Sequence, residues 1–188
     1  MLNQFLEKTE FENYDDFFKN FKIKVPKNFN FGYDVVDALA AKSPDANALV
    51  WCNDNDEEKT FTFAEIKERS DKAAAYFKKI GIKKGDFVML ILQRRYEFWI
   101  SIIALHKIGA AVIPATHMLT KEDIIFRCNS AYIKAILAVD DRDLFKYIDE
   151  AQNECESKKK KIPSSCALTI SSGNKNLLVI SVLVIPAK

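Results

Sequence analysis

Neither nucleotide-binding signature, GxGxxG or GxxxxGK followed by Ser or Thr, occurs in the 188 residues. A generic dinucleotide-binding or P-loop protein is therefore disfavoured. No CxxC pair is present, and Cys52, Cys128, Cys155 and Cys166 match no Cys/His metal pattern. No stretch approaches the roughly 20 apolar residues of a membrane helix. The longest apolar run, Leu177 to Ile185, is broken by Ser181. Met1 to Glu10 mix Gln, Glu and Lys with apolar positions, so no secretory signal is read there. Excess charge of one sign is also missing: 28 Lys and Arg face 26 Asp and Glu, for a net +2. That balance gives no footprint for a nucleic-acid or acidic-membrane partner. Free thiols without a leader point to a reducing cytoplasm. No internal repeat is found.

What the chain has in quantity is phenylalanine, 14 in all. Seven of these lie early: Phe5, Phe11, Phe17, Phe18, Phe21, Phe29 and Phe31. They need a surface to cover, within the chain or on a partner. With 48% hydrophobic and 29% charged residues, the composition is that of a soluble globular protein with a core.

The apolar spacing predicts an amphipathic helix over Phe11–Phe21 and a second over Tyr33–Lys42. Ser43-Pro44-Asp45 stops the second, and Ala46–Cys52 reads as a strand. Asn53–Lys59 is polar and acidic, hence a turn, before a short strand at Thr60–Phe63. Ala64–Ile80 is the clearest helix, with Gly81 suited to its end. Phe87–Leu92 is a continuous apolar run between turns, as in a strand buried on both faces. Tyr96–Ile108 is a helix closed by Gly109, and Ala110–Pro114 a strand. Thr120 caps a helix reaching Asn129. Ala135–Val139 is a strand, and Asp140 starts a helix to about Cys155. Alternation of strand and helix at this pitch makes an α/β domain, with Phe87–Leu92, Ala110–Pro114 and Ala135–Val139 sharing a parallel sheet. Composition changes after Glu156. Lys158–Lys161 is a solvated basic linker, and Ile162–Lys188 is read as poorly anchored and, through Leu177–Ile185, prone to aggregate, with that run as one central buried strand of the sheet as the alternative.

Several blocks in order resemble one family. Thr62, Phe63 and Glu65 start a helix in a "TFxE" pattern. The Gly81–Gly85–Asp86 turn, an apolar strand and an apolar helix follow. Then comes Leu105-His106-Lys107-Ile108-Gly109-Ala110-Ala111-Val112-Ile113-Pro114, a helix ending in "K-x-G-A" that runs into a strand with a terminal Pro. From about Phe31 to Asp149 the chain resembles the N-terminal region of the AMP-forming acyl-CoA synthetases, the medium-chain branch most.

That resemblance implies the N-terminal subdomain of the adenylate-forming fold, a mostly parallel sheet flanked by helices. It implies three segments: an N-terminal helical extension over 1–30, the subdomain over 31–156, and a divergent or truncated tail over 157–188. The family's chemistry joins a small-molecule carboxylic acid to ATP, giving an acyl-adenylate, and then to coenzyme A, giving a thioester. Both steps need preorganised donors and Mg²⁺. The family's Thr/Ser/Gly-rich phosphate loop has no good counterpart; Thr169-Ile170-Ser171-Ser172-Gly173-Asn174-Lys175 reads as a polar turn. The chain is expected to be a fragment, inactive alone, with neither ATP, Mg²⁺ nor coenzyme A bound well. The alternative is an interaction module completed by a separate chain carrying the rest of the synthetase.

No catalytic or metal-binding residue is assigned. The candidate cofactor-binding residues are Thr116, His117 and Met118, because ligands of open α/β sheets bind beyond strand C-termini. By the resemblance this loop approaches coenzyme A, and Met118 stands where medium-chain relatives place a coenzyme A-contacting glutamine. His106 is read as structural. Arg94 and Arg95 follow a strand and could hold phosphate, but read as the start of a helix. Asp140 to Asp143 read as a helix N-terminus rather than a metal site.

Overall fold

The computed structural model describes residues 2–139, 143–155 and 181–184. The chain divides into two compact units, Met1–Asn30 and Phe31–Lys188.

In the first unit a short turn at Leu2–Gln4 precedes the helix α1, Tyr14–Asn20. The helix is shorter than the aromatic spacing predicts, because Asn13 takes the N-cap. Its backbone is extended and its side chain accepts from the Asp16 N–H at 2.9 Å. Phe11 is thus outside the helix and packs edge-on to Phe17, ring centroids 5.2 Å apart. Phe21 stacks obliquely on Phe17 at 4.8 Å. Lys24 N–H donates to the Phe5 carbonyl at 2.7 Å, and Leu6 bridges Ile23, so this unit closes on itself. Tyr14 and Phe18 remain exposed.

The second unit opens with a wide helical turn at Gly32–Asp37 that continues into α2, Ala38–Lys42. The strands β1, Asn47–Cys52, and β2, Glu58–Thr62, form an antiparallel hairpin. The long helix α3, Phe63–Lys79, starts on a capping box: Thr62 Oγ1 accepts from Glu65 N–H, and the Glu65 carboxylate accepts from Thr62 N–H. The remaining elements are β3 Phe87–Ile91, α4 Tyr96–Ile108, β4 Ala111–Pro114, α5 Lys121–Ala131, β5 Ile133–Ala138 and α6 Leu144–Glu154. A four-residue strand, β6, covers Ser181–Val184.

The main sheet has the order β4-β3-β5-β6. The first three strands are parallel, as their apolar runs predict. β6 joins antiparallel to β5, pairing Ala138 with Ser181 and Ala135 with Val184. These four residues are paired, so the unanchored expectation does not hold for them, but β6 is the last strand of the order and not the central strand of the alternative. The rest of the run, with Lys158–Lys161 and Thr169–Lys175, lies outside the described residues. So do Asp140 to Arg142; Asp143 occupies the N-cap of α6, without a side-chain capping bond.

The sheet separates two apolar layers. Val88, Leu90 and Leu92 point toward α3 and α4, with Phe77, Ile100 and Leu105. Met89 and Ile91 point the other way, with Ile124, Cys128 and Ile148 of α5 and α6. Strict alternation would put Ile133 and Ala135 on one face. They lie on opposite faces, because the β3–β5 register slips between Phe87 and Val88. The slip leaves Lys134 between them, and its Nζ pairs with Asp86 Oδ2 at 2.8 Å.

Gly109 ends α4 in the left-handed conformation, φ +81°. Its N–H donates to the His106 carbonyl, and Ala110 N–H to the Leu105 carbonyl. The Gly109 carbonyl then accepts from Gly85 N–H at 2.9 Å, and Ala111 N–H donates to the Asp86 carbonyl. One reversal at Gly109 therefore aims β4 alongside β3 and carries its C-terminal end to the candidate loop.

Candidate functional site

The C-terminal ends of β3 and β4 lie side by side, because the strands are parallel and in register from Phe87–Ala111 to Leu90–Pro114. Ala115 N–H extends the ladder by donating to the Leu90 carbonyl at 2.9 Å. Downstream, Leu119 is buried, and Thr120 starts α5 with a capping box made with Asp123. Anchored at both ends, Thr116, His117 and Met118 form a short protruding turn. Thr116 Oγ1 accepts from Met118 N–H at 3.2 Å. Met118 is 73% exposed, Thr116 is exposed and His117 is half-buried. The tip thus offers a hydroxyl, an imidazole and a thioether to whatever lies beyond the sheet edge. A thioether is a weak hydrogen-bond acceptor, so Met118 supplies apolar contact.

Beside this turn, the β3–α4 connection runs through Gln93 in the left-handed region at φ +52°. The Arg94 carbonyl accepts from Trp51 Nε1–H at 2.6 Å, tying the hairpin to the sheet end. Arg95 Nε lies 3.5 Å from Glu97 Oε2, and Glu97 is only 2% exposed. Arg95 therefore compensates a buried carboxylate at the start of α4, in keeping with the helix-start reading. The Arg94 side chain is exposed.

His106 sits on α4 with its ring edge-on to Phe31, centroids 6.0 Å apart. Burial holds its imidazole below the ordinary value, so it is neutral at physiological pH. This is the structural placement read from the sequence.

Sequence reasoning missed the charge cluster around Lys107. Its side chain is 1% exposed, and Nζ lies 2.6 Å from Asp71 Oδ1 and 2.7 Å from Asp37 Oδ1. The contact to Asp37 is an ion pair off the hydrogen-bonding direction. Lys67 meets the other oxygen of Asp71 at 2.6 Å, and Nζ of Lys107 also lies 5.7 Å from the Tyr33 ring centre. Two cations and two anions thus tie the Gly32–Asp37 turn to α3 and α4. The signal available was one lysine inside an apolar helix; its partners stand far away in sequence.

Among the described residues there is no group of three His, Cys, Asp or Glu that could hold a metal ion. No helix there is long and apolar enough to cross a membrane.

A family model described as AMP-binding enzyme matches residues 36–177, more than half of the chain. The chain belongs to the AMP-binding enzyme family. Among relatives in that family, the acyl-coenzyme A synthetase ACSM3, mitochondrial, of Homo sapiens is 34% identical over 153 residues, covering 78% of this chain and 26% of its own. The acyl-coenzyme A synthetase ACSM4, mitochondrial, of Mus musculus is 35% identical over 144 residues, covering 73% and 24%. The resemblance to acyl-CoA synthetases carried by the Thr62–Glu65 and Leu105–Pro114 blocks is thereby shown. Solved structures agree on the fold. A Mycobacterium tuberculosis fatty acyl CoA synthetase superposes with TM-score 0.58 at 23% identity, over 68% of this chain and 24% of that one. The Klebsiella oxytoca NpsA N-terminal subdomain gives 0.52 at 26%, over 58% and 27%. The chain spans about a quarter of the length of these curated relatives.

Proposed function

We propose that this chain supplies the N-terminal part of an AMP-forming acyl-CoA synthetase. In that reaction a carboxylic acid and ATP give an acyl-adenylate, and coenzyme A then gives the thioester. The observation that carries the reading is the 34% identity over 153 residues to a protein named as an acyl-coenzyme A synthetase. The reading keeps a subdomain over 31–156, between an extension over 1–30 and a tail over 157–188. Within it, the turn Thr116–Met118 is the stretch that lies against coenzyme A, supported by its exposed position beyond the parallel strand ends.

The fit to each small molecule differs. For coenzyme A, an exposed thioether and a half-buried imidazole suit contact with its apolar and polar parts. For ATP and Mg²⁺ the described residues offer neither a cluster of carboxylates nor a glycine-rich turn, so no step is assigned to this chain. The relatives are mitochondrial by name, so the cytoplasmic location expected from the sequence is no part of this proposal.

A chimera tests the reading: residues 36–155 replace the matching segment of the human relative. The expected result is ATP–pyrophosphate exchange with a fatty acid, and thioester formation on adding coenzyme A. Met118→Asp in the chimera should raise KM for coenzyme A roughly tenfold by placing a carboxylate against an anionic ligand. It should leave the exchange rate unchanged. A folded chimera without exchange would refute the family role of the segment. An unchanged KM would refute the assignment of the turn. The 188-residue chain alone should show no exchange.

A further inference from the structure

Cys128 and Cys155 are the one cysteine pair that the described structure brings together. Cys128 lies on α5, 1% exposed, in the same apolar layer as Ile124 and Ile148. Cys155 caps the end of α6, half-buried, its N–H donating to the Ala151 carbonyl at 3.0 Å. It packs against the same layer, and the two thiols are in hydrogen-bond contact with each other. The helices are held together independently by Lys121 Nζ on Glu154 Oε1 at 2.5 Å. A buried cysteine alone is usually a small apolar filler. A second sulfur against it, at a helix end with partial access to solvent, is the arrangement of an attacking and a resolving thiol.

We propose that Cys128 and Cys155 are a reversible thiol–disulfide modification site, oxidised by a small-molecule disulfide such as glutathione disulfide, that ties α5 to α6. Cys155 is the thiol that meets the oxidant, being the accessible one. Its thiolate attacks one sulfur of glutathione disulfide; that S–S bond breaks, and one glutathione leaves as thiolate and takes up a proton. Cys128 then loses its proton to water and attacks Cys155 Sγ, expelling the second glutathione. Two protein thiols are oxidised and one glutathione disulfide is reduced to two thiols. Contact with Cys155 and burial both push the Cys128 thiol up, so Cys128 is the protonated member of the reduced pair. Cross-linked, α5 is fixed to α6 a short distance beyond the Thr116–Met118 turn, which leads directly into α5.

The test uses the full chain carrying Cys52→Ser and Cys166→Ser, equilibrated in glutathione buffers of rising oxidised fraction. Alkylation and peptide mass mapping follow. Trypsin separates the two cysteines into Cys128–Lys134 and Tyr147–Lys158, so a bond between them appears as one joined peptide. The expected result is that joined peptide, reversed by dithiothreitol, with Tm raised by on the order of 5–10 °C for a loop of about 30 residues. Cys128→Ser should convert the product to a lasting glutathione adduct on Cys155. In Cys155→Ser, Cys128 should stay unmodified. Should the doubly substituted chain fail to fold, the same map on the unsubstituted chain reads the joined peptide directly. A glutathione adduct that persists on Cys155 while Cys128 is present overturns the proposal. So does absence of the joined peptide in the unsubstituted chain at a poise that fully modifies its exposed Cys52.

Discussion

Replacing Lys107 with methionine keeps most of the side-chain volume and removes the charge. Nζ lies 2.7 Å from Asp37 and 2.6 Å from Asp71, and the stem is fully enclosed. The two carboxylates differ in what they keep. Asp71 is 42% exposed and retains water and Lys67. Asp37 is mostly buried and loses the cation in contact with it. Breaking a fully buried pair costs about 3–5 kcal/mol, while an exposed pair contributes about 0–1. The loss here should lie between, about 2–3 kcal/mol, and arise mainly at Asp37. For a chain of this length that lowers Tm by about 5–10 °C.

Urea unfolding followed by far-ultraviolet circular dichroism at neutral pH measures it. Adding Asp37→Leu to Lys107→Met should recover at least half of the loss, because the orphaned carboxylate is gone. Asp71→Asn alone should cost about 1 kcal/mol or less. A Lys107→Met chain within about 0.5 kcal/mol of the parent would refute the reasoning, as would a double variant worse than the single. The cluster also fixes a pH window. Burial raises the Asp71 carboxyl, but hydrogen bonds from Lys107 and Lys67 outweigh that and hold it below its ordinary 3.8. Its stabilising contribution is therefore complete above that value and lost as pH falls through the lower folded value. Lys67, hydrogen-bonded to Asp71, is held above its ordinary 10.5. Its contribution is present below 10.5 and fades as pH rises through the higher folded value. The parent and Lys107→Met curves should thus converge in acid.

Gly109→Ala should cost about 1–2 kcal/mol, since a side chain is strained at that φ and an added Cβ would meet Lys84 Cγ at 3.0 Å. Gly81→Ala, also at positive φ but with open space around it, should cost about 1 kcal/mol in the same urea assay. Thr62→Ala should lose about 1 kcal/mol by removing the α3 capping box, and Thr62→Ser should restore most of it. Amide hydrogen exchange should find protection at Ser181–Val184 that disappears when the pairing strand is disrupted by Leu137→Pro; fast exchange in the parent would contradict the β5–β6 ladder.

Much of the fold was legible because it depends on local rules. Phe87–Ile91 is apolar at every position, and a strand covered on both faces requires that. Thr62 and Glu65 stand at the spacing of a reciprocal cap, and Gly109 stands where a helix reverses. Boundaries slipped where a cap outranked periodicity: Asn13 cuts α1 short of Phe11, and α5 runs on to Ala131 because Tyr132 takes the left-handed conformation at φ +50°. Neither shows in an apolar count. The face of Ile133 was illegible for a different reason. It is set by one slipped register against β3, a property of two strands, so strict alternation misassigns it.

The same division runs through the candidate site. That a loop follows β4 at the sheet edge could be read from Pro114 and the cap at Thr120, and both ends are pinned as those residues demand. The chemistry of the tip is another matter, because Thr116, His117 and Met118 carry little of the fold. Substituting them should leave the domain's stability nearly untouched while changing the proposed coenzyme A contact, since an exposed turn away from caps and core rarely moves stability by more than about 0.5 kcal/mol. Lys107 is the reverse case. Its charge does nothing visible at the sheet edge, yet it joins three segments distant in sequence, and no window of the chain short of the folded domain places Asp37 and Asp71 around it. The residues proposed to contact coenzyme A at this edge are thus separable by mutation from those that hold the edge in place.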